Sequence, residues 1–469
     1  MPLYLVQFAQ FHNEFRLPEF RSLAQLEKIK YSYVEEDYKL DNPFFVVELD
    51  SDDDARKLVR RAILIKNVYE IWGQGKSYEE VHADVKSSPE RWTKETSRYT
   101  ITKPAYNDLS FKFTVSCFGS TINAKRQLEV INSFSYLGFD GPIDMKKPDV
   151  QFGVLEDYGS MAGIAGAPAE APERIFMGRL VASGSRDLVQ KYNLKKRKYL
   201  GTTSMDAELS LVMANQALAG PGKLVYDPFV GTGSFLFTCA HFGSYTLGSD
   251  IDGRQIRGKS ADCGVKSNIK QYNLQGRVLD SLVFDVCHHP WRCKDWLDAI
   301  VTAPYGVRAG AKKLGRKDKK PLQMRMYDGV PMHTREDYYP PTKPYEMSEV
   351  LIDLLNFAAE HLRVGGRLVY WLPTVVDEYS NTDVPEHPSM LLVSNSEQNF
   401  GPWSRRLITM EKTRPYDSKE TATMPAKEED KAPASEETAQ EGEDASKQPG
   451  HFLFREKYFN LGRQTDTAS

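Results

Sequence analysis

The chain has 469 residues, 41% hydrophobic and 27% charged, with a formal net charge of −3, which leaves room for two or three domains of roughly 100–200 residues each and rules out a single small module. Five cysteines, an odd and sparse set, exclude a disulfide scaffold and suit reduced thiols, so a cytoplasmic location is expected, the nucleus being the other reducing compartment. No apolar run reaches the roughly 18 residues of a membrane span, and the start MPLYLVQFAQFHNEF alternates like a strand instead of offering the basic start and cleavage site of a signal peptide.

From residue 1 to about 158 the pattern is mixed. LYLVQFAQ, FFVVEL and FKFTVSCFG read as strands by their alternation, and RLPEFRSLAQLEKI, DDARKLVRRAILI and INAKRQLEVINSFSYL as amphipathic helices. This is an α+β region of its own. GSMAGIAGAPAEAPE, residues 159–173, then loses periodicity and fills with Gly, Ala and Pro, which reads as an interdomain linker.

Residues 174–460 change character, with helical and strand patterns alternating as in a mostly parallel sheet flanked by helices. Seven strands are predicted: Lys223–Tyr226, Tyr245–Ser249, Val278–Phe284, Ala299–Val301, Arg367–Leu372, Arg406–Met410 and Phe452–Phe459. The last two would pair antiparallel. Between them, residues 415–450 form an acidic insertion with ten Asp/Glu against four Lys from Asp417 to Lys447; it has no apolar face to bury and is expected to be disordered. Residues 461–469 form a tail. With the acidic insertion set aside, the body is net positive, with six basic residues from Arg186 to Lys198 and seven from Lys312 to Arg325. Basic patches of this kind suit a polyanionic partner, although solvated surface loops would read the same way.

The most informative stretch is KLVYDPFVGTGSFLFTCAHFG. A short strand ends at Asp227, a tight turn holds Gly231, Thr232 and Gly233, and an apolar helix begins at about Ser234. Strand, glycine turn and helix N-terminus in that order build a nucleotide cleft. The spacing matches neither the dinucleotide fingerprint nor the phosphate loop. The next strand ends in GSDID, placing Asp250 where an acid accepts both hydroxyls of a ribose. The third ends in Asp285, positioned to accept from an exocyclic amine, although any of these acids could instead cap a turn.

The fourth strand ends in Thr302-Ala303-Pro304-Tyr305-Gly306. Here the sequence resembles the S-adenosylmethionine-dependent amino-methyltransferases, whose fourth strand ends in Asp/Asn-Pro-Pro-aromatic. In that motif an acceptor side chain and a prolyl carbonyl free the amine lone pair, while the ring stacks on the base. GSRDLVQKYNLKKRKYLGTTSMDAELSLVMANQAL, TAPYGVRAGAKKLGR and LYLVQFAQFHNEFRLPE narrow the resemblance to the catalytic subunits of the eukaryotic tRNA (guanosine-10-N2)-methyltransferases, a THUMP-containing family, over nearly the whole chain. The resemblance implies an α/β fold, a Rossmann-like seven-stranded methyltransferase domain preceded by an α+β, THUMP-containing, RNA-binding region. It implies S-adenosyl-L-methionine as cofactor, tRNA as substrate and a small zinc-containing activator subunit as partner in a heterodimer.

Carried over position by position, Asp227, Phe229, Gly231, Thr232 and Gly233 would shape the cofactor pocket, Asp250 would hold the ribose, Asp285 would face the adenine, and Thr202 to Met205, Thr203 among them, would approach the methionine end. Thr203 with Asp206 also reads as a helix cap. Thr302, Ala303, Pro304 and Tyr305 would be catalytic. The departure lies there: aligned on Pro304-Tyr305, Thr302 stands for the acid and Ala303 for the first proline, or Thr302 precedes the motif and one residue is missing. Either way no carboxylate is present. Arg186, Lys195, Lys196, Arg197, Lys198, Lys312, Lys313 and Arg316 fit phosphate contacts. Cys287, His288, His289 and Cys293 lack the second half of a zinc spacing and read as a loop, so no metal is expected. The competing functions are a weakened or silent tRNA-binding subunit, and an amino-methyltransferase acting on DNA adenine or protein glutamine.

Overall fold

The computed structural model describes residues 2–95, 102–104, 106, 108–159, 171–201, 204–260, 262–304, 311–315, 326–335 and 338–425. They divide into two compact units, Met1–Arg186 and Asp187–Ser469.

The first unit runs β1 (Leu3–Phe8), α1 (Asn13–Glu27), β2 (Tyr31–Ser32), β3 (Phe44–Leu49), α2 (Asp52–Val59), β4 (Ile65–Gly75), α3 (Tyr78–Ser87), β5 (Thr93–Glu95), β6 (Thr102–Pro104), β7 (Phe111–Phe118), α4 (Ala124–Ser133), β8 (Val150–Asp157) and β9 (Arg174–Ser183). Seven strands form one sheet in the order β2-β3-β1-β4-β9-β8-β7, and β5 pairs with β6. The predicted helix DDARKLVRRAILI ends early, at Val59. The buried Glu19 carboxylate takes the amides of Ile63 and Leu64 at 3.0 and 2.7 Å, and the chain turns into β4. The expected boundary at residue 174 is also corrected. Arg174 pairs with Asp157, and β9 lies between β8 and β4, so residues 159–173 connect two neighbouring strands of one sheet instead of two domains, and the break falls after Arg186.

The second unit continues with α5 (Asp187–Lys191), α6 (Ala207–Gln216), β10 (Leu224–Asp227), α7 (Ser234–His241), β11 (Tyr245–Asp250), α8 (Gly253–Arg257), α9 (Val265–Gln271), β12 (Val278–Val283), β13 (Leu297–Thr302), β14 (Lys312–Leu314), β15 (Met326–Tyr327), β16 (Val330–Pro331), β17 (Thr342–Pro344), α10 (Met347–His361), β18 (Leu362–Val375), β19 (Met390–Asn399) and β20 (Trp403–Lys412). Its main sheet has the order β12-β11-β10-β13-β18-β20-β19, parallel from β12 to β18, with β20 antiparallel to both neighbours. This is a Rossmann-like sheet with one reversed strand, and its order switches direction between β10 and β13. Parallel strands covered on both faces are apolar throughout, as Leu297, Ala299, Ile300 and Val301 are here. Helix α10 turns Leu351, Leu354, Leu355 and Ala358, one helical stripe, into a core with Tyr226, Ile300, Leu368 and Tyr370.

Six of the predicted strands take seats in this sheet. The predicted pairing of Arg406–Met410 with Phe452–Phe459 is overturned, because both edges of β20 are taken, by β18 and β19; Phe452–Phe459 lies outside the described residues. The expected disordered insertion also starts too early at 415. Ala422 is buried and its amide donates to Asn356 Oδ1 at 2.7 Å; residues 426–450 and the 461–469 tail lie outside the described residues. No described helix is long and apolar enough to cross a membrane.

Candidate active site

The switch point opens a cleft at the carboxyl ends of β10, β11 and β13, where open α/β sheets bind ligands. Asp227, Phe229, Gly231, Thr232, Asp250, Ala303 and Pro304 line it. The turn after β10 needs its glycines: Gly231 and Gly233 have φ of 49° and 86°, in the left-handed region that disfavours a side chain. At Gly233 a Cβ would also stand 2.8 Å from the Phe237 ring. Gly233 caps α7 without a side-chain hydrogen bond, leaving that helix start to the cleft. Val230 N donates to Ser249 O at 2.8 Å and Gly231 N to Asp250 Oδ2 at 2.9 Å, which stitches the turn to the end of β11.

The two strand-end acids differ in kind. Asp250 also accepts from Asp252 N at 2.8 Å through its other oxygen, and each oxygen keeps a further lone pair. Burial raises its carboxyl to about 6, against those amide bonds. Asp227 is only 1% exposed. Its Oδ1 accepts from Phe229 N at 3.0 Å and Thr302 Oγ1 at 2.7 Å, while its Oδ2 has no partner among the described residues. Burial lifts this carboxyl to about 7, with the Thr302 and Phe229 bonds opposing. An unpartnered buried carboxylate oxygen on a cleft wall fits a cationic donor from a ligand.

The fourth-strand motif departs from expectation in a specific way. Thr302 sits inside β13, paired in register with Tyr370 and fully buried, and its hydroxyl proton goes to Asp227. Its hydroxyl is thus turned to the end of β10. The part of the motif that reaches the cleft is Ala303-Pro304; Tyr305 lies outside the described residues, as do Thr202, Thr203 and Arg316.

Asp285 is placed differently from the expected adenine contact. It is 3% exposed and does not line the cleft. Its oxygens accept from Cys287 N at 3.1 Å and Leu314 N at 2.8 Å, a turn cap that anchors β14. The cap of α6 is Asp206 itself, accepting from Leu209 N at 2.9 Å. Ser204 and Met205 do reach the cleft, and Ser204 Oγ bonds Thr232 Oγ1 at 2.7 Å.

The basic candidates separate by burial. Lys195, Lys196 and Lys198 are exposed, and so is Lys312, on the cleft rim. Arg197 is corrected: at 5% exposure it donates to Ser234 Oγ at 2.8 Å and lies over the Phe237 ring, bracing the start of α7. Arg186 donates to Ile63 O at 2.6 Å and covers Phe11, and Lys313 pairs with Glu349 at 2.7 Å. Sequence reasoning missed Asp252, Gln255 and Tyr339 on the cleft wall. Asp252 follows Asp250 by two residues and was legible in GSDID; Tyr339, held under Arg254 at 4.4 Å, comes from a remote segment with no local signal.

Comparison with known proteins bears on the whole chain. The family model described as the Tmrp11 THUMP N-terminal domain matches residues 2–186, the first compact unit. A protein of Schizosaccharomyces pombe named tRNA (guanine(10)-N(2))-methyltransferase is 38% identical, covering 100% of this chain and 98% of its own length. The Saccharomyces cerevisiae protein of that name is 41% identical over 87% and 92%. The human protein named tRNA (guanine(10)-N(2))-methyltransferase TRMT11 is 36% identical over 97% and 95%.

Proposed function

We propose, from the premise that the chain belongs to the tRNA (guanine(10)-N(2))-methyltransferase family, that it transfers a methyl group from S-adenosylmethionine to the exocyclic N2 of guanosine 10 in tRNA. The observation that carries this reading is near full-length family similarity combined with a switch-point cleft whose wall holds an unpartnered buried carboxylate oxygen. S-adenosylmethionine, when bound, supplies an electrophilic methyl on a sulfonium. The residues present suit it: Asp250 has two lone pairs for ribose hydroxyls, the Gly231–Gly233 turn admits close backbone approach, and Asp227 Oδ2 is available to the cofactor's ammonium group.

The chain's own part in transfer is orientation of the amine by hydrogen bonding, and the proton that N2 loses on taking the methyl group passes to solvent water. With Thr302 committed to Asp227, the Ala303 carbonyl is the acceptor for the guanine amine, and Tyr305 is the stacking surface. A neutral carbonyl supports developing positive charge less well than a carboxylate, so the chemical step is slower than in a site with an acid there. Lys195, Lys196, Lys198 and Lys312 hold the phosphate backbone, together with the THUMP-containing N-terminal unit. A small zinc-containing activator subunit completes a cytoplasmic heterodimer, and co-expression with it raises the soluble yield of the chain.

The deciding experiment is single-turnover methylation of tRNA with unmodified guanosine 10, with the partner present, followed by mapping of the methylated base. Methylguanosine at position 10 supports the proposal. Cofactor and tRNA binding without methyl transfer would favour a silent subunit, the reading that the missing carboxylate raises, and methylation of DNA or glutamine alone would overturn both.

A further inference from the structure

The loop between β12 and β13 carries the cysteines and histidines that the sequence alone left without a role. The fold separates them. Cys287 Sγ turns inward to Tyr345 Oη at 2.8 Å, and His288 points back at Asp285. Cys293 is exposed. His289 instead meets the end of α10, where ligand atoms of His289, Glu360 and His361 all lie within 4.8 Å of one another. Glu360 and His361 lie some seventy residues further along the chain, so no sequence spacing announces the group.

We propose that His289, Glu360 and His361 form a binding site for a divalent transition metal, zinc being the best match. Three observations converge on it. His361 Nδ1 lies 2.9 Å from the Cys293 carbonyl, and a carbonyl only accepts, so this nitrogen carries the proton. The Trp296 indole N–H approaches the same atom at 3.4 Å; the shorter contact to the carbonyl prevails, and an Nδ1 that carries a proton does not accept from the indole. In the neutral ring His361 Nε2 is then the nitrogen with the free lone pair, in a residue that is 1% exposed. A ring N–H held by a backbone carbonyl is also the usual support of a metal-bound histidine.

The second observation is distance. His361 Nε2 and His289 Nε2 face one another at 3.5 Å. Two nitrogens bound to one tetrahedral zinc at about 2.0–2.1 Å are about 3.3–3.4 Å apart, so the observed separation matches that of two ligands on a common ion. Third, the donor set is right in kind. Two imidazoles and a carboxylate suit zinc. Lys294 holds Glu360 Oε1 at 3.2 Å and leaves the second oxygen for the metal, with water as the fourth ligand. The site clips the loop that feeds β13 to the end of α10, and β13 carries Thr302 toward the cleft.

The test compares the full-length chain with His289→Ala, Glu360→Gln and His361→Ala after chelator treatment, reloading with Zn2+ and removal of excess metal. If a partner subunit is needed for solubility, its own metal is common to all samples, and the difference in zinc per chain is the readout. The wild type should retain one equivalent more than each variant, with affinity weakened about a hundredfold or more on loss of a ligand. Zinc should raise the thermal midpoint of the wild type and leave that of His289→Ala unchanged. His288→Ala and Cys293→Ser should bind as the wild type does. Should His361→Ala fail to fold, the half-buried His289 and Glu360 variants decide. Equal zinc content in wild type and His289→Ala, or loss of zinc in Cys293→Ser, would overturn the assignment.

Discussion

Replacing Asp227 by Asn tests the electrostatics of the cleft more directly than any activity measurement. Burial holds this carboxyl at about 7 in the folded chain, against an ordinary value of 3.8. A folded value above the unfolded one means that the native state holds the proton more tightly. This carboxyl's contribution to stability is therefore fullest below about pH 4, falls as pH rises and is lost above about pH 7, a change of about 4 kcal/mol. Asparagine keeps the shape. Its amide oxygen still accepts from Thr302 Oγ1 and Phe229 N, which now bond Oδ1, and it has no charge to bury. Without ligand, Asp227→Asn should match the wild type near pH 4 and exceed it by up to about 4 kcal/mol at pH 8, about 10 °C in the melting of a unit this size. The same change should weaken S-adenosylmethionine, because a neutral amide replaces the anion facing the ammonium group. Thermal unfolding from pH 4 to 8, with and without cofactor, reads both effects. A gain that is the same at pH 4 and pH 8 would show that Asp227 does not titrate as its burial requires, and the argument for its unpartnered oxygen would fail with it.

Asp250→Ala should cost about 3 kcal/mol in cofactor binding, about a hundredfold in affinity by calorimetry; an unchanged affinity would remove Asp250 from the site. At the fourth strand, Thr302→Asp should destabilise the chain by about 3–5 kcal/mol, since it sets a second carboxylate in the buried position beside Asp227. Ala303→Asp, one residue nearer the cleft, should instead raise the methylation rate by about tenfold to a thousandfold; acceleration by Thr302→Asp and not by Ala303→Asp would reverse that assignment. Changing Lys195, Lys196 and Lys198 to Ala should lower tRNA affinity and make the salt dependence shallower, by about 0.7–0.9 in slope for each phosphate no longer neutralised. Arg197→Ala should act on thermal stability instead, because that side chain is buried against α7.

What the sequence determined by itself is what local chain chemistry encodes. A strand, a glycine turn with two positive-φ positions and an apolar helix have to follow one another in adjacent residues, so KLVYDPFVGTGSFLF located the cleft; GSDID located Asp250 for the same reason, alternating apolar runs located β1, β3 and β7, and short apolar runs located the parallel core strands. Signals diluted by polar residues were lost: β19, MLLVSNSEQN, is an exposed edge strand, and its place was given to a segment further along. The remaining differences were decided by tertiary contacts. Whether Arg174–Ser183 closes one sheet or opens the next domain depends on hydrogen bonds to β4 and β8, which periodicity does not carry. Whether a basic residue is a phosphate contact or a brace depends on burial, which separates Arg197 from Lys196 and Lys198 beside it. Thr302 and Asp227 meet only because β13 and β10 are neighbours, and His289 meets His361 only because α10 ends beneath the loop before β13. Each of these pairs is dozens of residues apart in the chain, and their chemistry arises where folding brings two charges or lone pairs into a space that water has left.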